Sequence, residues 1–157
     1  MKLSKRLQAI SDLINPNSKI IDVGSDHAFL DIYLNKYKNC ECLAIDKSKF
    51  CTKTAIENAK KYEANIIAVT NDGLNNIKLN NEIIVISGMG TRNIIKILNF
   101  NITNDLILSS HTNIDELKEF LKSKKYYIEK EVIIEDGKTY DIICAKYKGG
   151  TNEYNKW

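Results

Sequence analysis

Proline is almost missing from this chain, with Pro16 the one example in 157 residues. Arginine is nearly as scarce, limited to Arg6 and Arg92 among many lysines, and the histidines are His27 and His111. No apolar run reaches the roughly 18 residues of a membrane span. The opening MKLSKRLQAI spreads cations through an amphipathic pattern where a signal peptide needs an apolar block. A cytoplasmic protein is expected, with no membrane contact. A large excess of either charge is also lacking: the net charge of +3 permits a polyanionic partner without demanding one. The four cysteines (Cys40, Cys42, Cys51 and Cys144) do not follow a zinc spacing and have no histidine near them in sequence. They read as reduced thiols, and no metal is expected.

What is present alternates. Residues 3–14 place Leu3, Leu7, Ile10, Leu13 and Ile14 on one helical stripe, with Lys2, Lys5 and Arg6 towards solvent. NPNS (15–18) ends that helix, since Pro16 biases Asn15 away from helical geometry. KIIDV (19–23) reads as a strand covered on both faces, followed by a helix over 25–37 with Ser25 or Asp26 as its N-cap. Further strands are expected at 40–46, 65–72, 81–90 and 105–111. Helices are expected at 47–64, with Phe50, Ile56, Ala59 and Tyr62 along one side, at 92–100, and at 113–124 behind an Asn113 cap. The pattern then changes: YYIEKEVIIE and TYDIICAKY flank a turn containing Asp136-Gly137, the signature of a β-hairpin.

Strand–helix alternation implies right-handed parallel crossovers, and a terminal hairpin implies an antiparallel addition at one edge. The expected fold is α/β: a mostly parallel seven-stranded sheet with helices on both faces and a C-terminal antiparallel hairpin. That arrangement is characteristic of the Rossmann-like class I methyltransferases. One domain is expected over 1–148, with 149–157 a tail, disordered or the beginning of a further helical domain, in which Tyr154 and Trp157 stand out.

Ligands of open α/β sheets sit beyond the carboxyl ends of the strands. Those ends read Asp22-Val-Gly24-Ser25-Asp26-His27, then Ala44-Ile-Asp46, then Asn71-Asp72-Gly73, then Ser87-Gly88-Met89-Gly90. Three ends in succession carry a carboxylate, and Asp26 stands where a pyrophosphate would need an anion-free helix N-terminus. The nicotinamide fingerprint GxGxxG is absent. A cationic, phosphate-free cofactor suits such a rim, which points to S-adenosylmethionine. Gly24 would let the backbone approach the ligand, Asp46 would accept from both ribose hydroxyls with Lys47 beside it, and Asp72-Gly73 would meet the adenine edge. Each carboxylate could instead be an ordinary strand-end or turn residue. SGMG (87–90) carries neither the Asn/Asp-Pro-Pro-aromatic motif of exocyclic-amine methylation nor the Pro-Cys of cytosine C5 chemistry. Transfer to a ring nitrogen or an oxygen remains.

LSKRLQAISDL, IDVGSDHAFL, NDGL, IVISGMGTR and IIEDGKTYDIICA run in order from about residue 3 to residue 145. In these stretches the chain resembles the bacterial tRNA (adenine-22)-N1-methyltransferase family. The resemblance implies methylation of N1 of one adenine in the D arm of tRNA. It places Asp22, Gly24, Ser25, Asp26 and His27 around cofactor and target base, and Gly88 and Met89 beside the methyl group. The chain departs from the family at Ile45-Asp46, where a GE is usual, and at Ser109-Ser110-His111, where a QPN-like sequence is expected. It also stops at Trp157, where the family continues into a helical domain.

Asp26 is the candidate catalytic residue, accepting from the adenine N6 amine as the ring becomes cationic; a plain N-cap is its other reading. His27 serves equally as a cofactor contact or as a satisfied half-buried ring. Lys2, Lys5, Arg6 and Arg92 are candidate contacts to the tRNA backbone in a monomeric enzyme. Rival readings are a methyltransferase acting on rRNA or a small molecule, a non-catalytic cofactor- or RNA-binding module, and a nicotinamide-dependent oxidoreductase.

Overall fold

A computed structural model describes residues 1–149; the tail expected at 149–157 lies, beyond Gly149, outside the described residues. In chain order the elements are α1 (Lys5–Asp12), β1 (Lys19–Val23), α2 (Phe29–Lys38), β2 (Glu41–Asp46), α3 (Lys49–Lys61) and β3 (Ile67–Thr70). Then come β4 (Ile83–Ile86), α4 (Thr91–Leu98), β5 (Leu106–Ser110), α5 (Ile114–Ser123), β6 (Tyr126–Asp136) and β7 (Lys138–Tyr147). The seven strands form one sheet in the order β3-β2-β1-β4-β5-β7-β6. β1 to β5 are parallel, and β7 runs antiparallel between β5 and β6. The chain order reverses between β1 and β4, so the crevice expected of such sheets opens above the β1 carboxyl end.

The core follows strand alternation. Ile21, Ile45, Ile84, Ile86, Leu106 and Leu108 point to the face covered by α4 and α5 through Ile94, Leu98, Leu117 and Leu121. Ile20, Cys42, Val85, Ile107 and Ile142 point to the other face, under Leu3, Ile10 and Ile14 of the α1 segment and Leu30 and Leu34 of α2. The hairpin is turned by Gly137 at φ +75°.

Two local expectations are corrected, and a third holds in position only. The first concerns the second helix, which starts at Phe29 and not at Ser25: Asp26 and Ala28 adopt φ +55° and +62°, and neither Ser25 nor Asp26 caps it. Ala28 is the residue at the cap position, wholly buried with its methyl against Ala44 and Ala55. On α3, the buried positions are Ala55 and Ala59, while Phe50 and Ile56 are exposed. Short β3 ends the sheet on that side, so little sheet is left for a broad apolar helix face to cover. Asn113 does sit at the cap position of α5, yet its side chain caps nothing.

Leu108 is fully buried at the centre of the α4–α5 side. Leu108→Ala should therefore lose about 2–5 kcal/mol in urea unfolding; a loss below about 1 kcal/mol would place the core elsewhere.

Candidate active site

The β1 strand ends in a turn that is held from β2. Backbone N–H groups of Gly24 and Ser25 both donate to the Ile45 carbonyl, at 2.8 and 3.0 Å. One residue on, the Asp26 N–H donates to Asp46 Oδ2 at 3.0 Å, and the Ser48 N–H donates to Asp46 Oδ1 at 2.9 Å. Asp46 is thus fixed by one bond to each oxygen, and each oxygen keeps a lone pair for a ligand. Because the Asp26 backbone is committed to Asp46, its side chain is free of capping duty and reaches into the crevice. Asp26 Oδ1 accepts from the Cys51 thiol at 3.5 Å and lies 3.8 Å from His27 Nε2. His27 is half exposed, with its carbonyl accepting from Asn58 Nδ2.

The other strand ends close the site. Asn71 N–H donates to the Asp46 carbonyl, and Asn71 Nδ2 donates to the carbonyls of Gly73 and Asn75, which folds the loop after β3 over the crevice. Lys47 Nζ stands 3.9 Å from Asp72 Oδ1, both exposed, so that pair adds little stability. From β4, Met89 lies across Gly24: a Cβ at Gly24 would stand 2.7 Å from Met89 Cε, and Gly24 has φ +78°. The positive φ favours glycine there, while the flexible Met89 side chain could move aside. The result is a cavity of about 750 Å³ over the carboxyl ends of β1, β2, β3 and β4.

At and beneath its floor lies an acid pair, of which Asp22 lines the cavity. Asp22 on β1 and Asp31 on α2 are both buried, at 3% and 0% exposure. Neither Asp31 oxygen nor Asp22 Oδ1 has a donor elsewhere in the described chain, which leaves the two carboxyls to each other. Burial pushes Asp22 up to about 6, against the opposing pull of the Asp31 hydrogen bond and the Arg6 cation. Burial, and then the Asp22 charge, raise Asp31 well above the usual carboxylate range. At neutral pH Asp31 keeps its proton and donates it to an ionised Asp22. The nearby Cys42 thiol is likewise pushed up, chiefly by burial, so it is inert.

The structure gathers the sequence-predicted cofactor residues with the candidate catalytic Asp26: Asp22, Gly24, Ser25, His27, Asp46, Lys47, Asp72, Gly73, Gly88, Met89 and Asp26 all line this one cavity. The four predicted RNA contacts divide. Lys2 and Lys5 are exposed on a separate groove between α1 and β6, and Arg92 is exposed outside the cavity wall. Arg6 does not face solvent as expected; it lines the cavity, its Nη1 is buried, and its guanidinium lies 5.1 Å from the centre of the Tyr140 ring. Sequence reasoning missed Arg6 as a wall residue, along with Phe29, Asn71, Leu74, Asn93 and Lys96. For Asn71 and Leu74, adjacency to Asp72-Gly73 was the available signal; Asn93 and Lys96 share one face of α4 at i and i+3.

Sheet order, terminal hairpin and an acid-lined crevice together define a class I methyltransferase fold. A family model described as a methyltransferase domain matches residues 3–143. The tRNA (adenine(22)-N(1))-methyltransferase of Bacillus subtilis is 32% identical over 156 residues, covering 93% of this chain and 66% of the relative. The crystal structure of the B. subtilis m1A22 tRNA methyltransferase TrmK superposes with a TM-score of 0.87 at 30% identity, covering 99% of this chain and 70% of that one. TrmK of M. capricolum, solved with S-adenosylhomocysteine, gives 0.85 at 29% identity, covering 93% and 69%. The chain belongs to the methyltransferase domain family and, within it, to the family of the tRNA (adenine-22)-N1-methyltransferases. It spans slightly less than two thirds of the first curated relatives: 66% of the B. subtilis enzyme and 65% of a Mycoplasma genitalium relative 31% identical over 85% of this chain.

The acid pair sets a pH dependence. Folding raises both carboxyls above their unfolded value, so the native state holds protons that the unfolded chain releases, and stability falls as pH rises from about 4 through 6 and beyond. Asp31→Asn supplies a neutral donor to Asp22 and should flatten this fall. In urea unfolding the variant should gain on wild type by at least about 1 kcal/mol between pH 5 and pH 8. A stability difference independent of pH would show that the two carboxyls do not share a proton.

Proposed function

We propose that the chain transfers a methyl group from S-adenosylmethionine to N1 of an adenine in the D arm of tRNA, at position 22. The observation that carries this is the chemistry of the cavity: four aspartates face it, and no cation stands in the β1 turn where a pyrophosphate would need one. Gly24, at φ +78°, also keeps a side chain off this part of the cavity wall. An acid rim with glycine at the point of closest approach suits a ligand bearing a sulfonium and an ammonium.

Bound S-adenosylmethionine supplies an electrophilic methyl on its sulfonium. Asp46, pinned by two backbone N–H groups, holds the ribose hydroxyls through its remaining lone pairs. Asn71, Asp72 and Leu74 frame the adenine end of the cavity, and the Asp22 carboxylate places negative charge on its floor. Gly88 and Met89 border the reacting end across from Gly24. Adenine N1 carries a free lone pair at neutral pH, so the chain needs no strong base. Its task is to position N1 at near-attack distance, roughly 3–3.5 Å, with the base extruded from its stack. Asp26 accepts from the N6 amine and stabilises the positive charge that grows on the ring. Its side chain is two-thirds exposed into the crevice, as a group reserved for a substrate would be. A tRNA substrate carries with it a cytoplasmic location.

Unmodified tRNA incubated with labelled S-adenosylmethionine should acquire label, and a reverse-transcription stop should fall at one D-arm adenine. Label with no such stop would assign a different acceptor. Asp26→Asn keeps the left-handed backbone at φ +55°, which Asn tolerates as readily as Asp. It should keep thermal stability and cofactor affinity while lowering kcat by about 100-fold. Full transfer by Asp26→Asn would remove Asp26 from the chemistry.

A further inference from the structure

Beside the cavity, and outside the part that holds the cofactor, two cations and two rings meet from three separate elements. The Arg6 guanidinium of α1 lies 5.1 Å from the Tyr140 ring centre on β7. His111, just after β5, sets its ring edge-on to Tyr140 at 5.5 Å between centroids. Lys138, at the hairpin turn, places Nζ 3.4 Å from His111 Nε2. His111 Nδ1 is buried with no hydrogen-bond partner among the described residues.

The cluster is built into the site. Thr91, first residue of α4, donates its backbone N–H to Thr112 Oγ1 at 3.2 Å; its hydroxyl donates to the Thr112 carbonyl at 2.6 Å and pairs with Ser110 Oγ at 2.9 Å. Those bonds lock the His111 loop onto the loop of Gly88, Met89 and Gly90. A Cβ on Gly90 would stand 3.0 Å from Thr112 Oγ1, so the two loops touch closely. Arg6 belongs to both places, lining the cavity and covering Tyr140. The nearby carboxylates are committed locally: Asp136 Oδ2 accepts from the Arg6 backbone N–H and Glu135 accepts from the Thr139 hydroxyl.

We propose that Arg6, His111, Lys138 and Tyr140 form a recognition site for the RNA strand next to the target nucleotide, with the cations on phosphate and the rings against a neighbouring base. The proposal rests on the RNA methyltransferase reading of the cavity. Its physical basis is the pairing of cations with aromatic faces that single-stranded nucleic acid selects. An extruded adenine drags its flanking phosphates and bases to the rim of the pocket that receives it. The cluster stands at that rim, on the β4–β5 side, opposite the ribose end marked by Asp46. His111 then gives the Ser109-Ser110-His111 sequence a task in substrate recognition.

The test is an anisotropy titration of unmodified tRNA transcript with wild type, Lys138→Ala, His111→Ala, Tyr140→Leu and Tyr140→Phe. Affinity for S-adenosylmethionine is measured on the same preparations. Lys138→Ala should weaken RNA binding and lower the slope of log K against log salt by about 1. His111→Ala and Tyr140→Leu should each cost about tenfold in RNA affinity, and Tyr140→Phe, which keeps the ring, should bind as wild type does. All four should keep wild-type cofactor affinity. Unchanged RNA affinity in Lys138→Ala and Tyr140→Leu, with a wild type that still methylates tRNA, overturns this site alone. Parallel loss of cofactor affinity assigns the residues to structural support and overturns it too. A wild type that binds no RNA overturns both this site and the RNA reading of the cavity.

Discussion

The site depends on Asp46. One carboxylate takes the N–H of Asp26 from the β1 turn and the N–H of Ser48 at the head of α3, and so fixes two loops with a single side chain. That junction explains why the β1 turn does not wind directly into a helix. With Gly24, Ser25 and Asp26 donating to the end of β2, the chain crosses the crevice in a left-handed path, and α2 begins at Phe29. The Asp26 carboxylate is thereby pointed at the cavity. The left-handed residues Asp26 and Ala28 store some strain, and the surrounding bonds and the packing of Ala28 against Ala44 and Ala55 hold them there.

The same constraint accounts for the limits of sequence reasoning. The strands were legible because IIVI is apolar throughout and KIIDV is mostly so, as burial on two faces demands. The hairpin was legible from Asp136-Gly137, and the crevice from four strand ends that carry acid or glycine. Ser25 and Asp26 read as helix caps because local chemistry favours that use; bonds from residues twenty positions away decide otherwise. Arg6 read as solvated because helical spacing points it away from Leu7 and Ile10. Tyr140, more than 130 residues downstream, folds over beside it and gives it a ring to cover. Asp31 gave no sign at all, since its meaning depends on α2 lying across β1 so that two carboxyls meet in the core.

The energetic logic of the floor differs from that of the rim. At the rim, Asp26 and Asp72 are exposed, and their worth lies in what they can accept from a ligand. On the floor, a proton shared by Asp22 and Asp31 keeps one negative charge where two would repel in a medium that solvates neither. Arg6 nearby lowers the cost of that single charge. Around the β1 turn the cavity therefore offers carboxylates and no cation, which separates it from crevices of the same fold class that bind dinucleotides.

Calorimetric titration of the protein with S-adenosylmethionine, NAD and ATP tests this most directly, because it asks the cavity to choose by charge. The account predicts saturable one-to-one binding of S-adenosylmethionine, lost on Asp46→Ala, and no measurable binding of NAD or ATP. Tight binding of NAD or ATP, or S-adenosylmethionine affinity indifferent to Asp46→Ala, would contradict it.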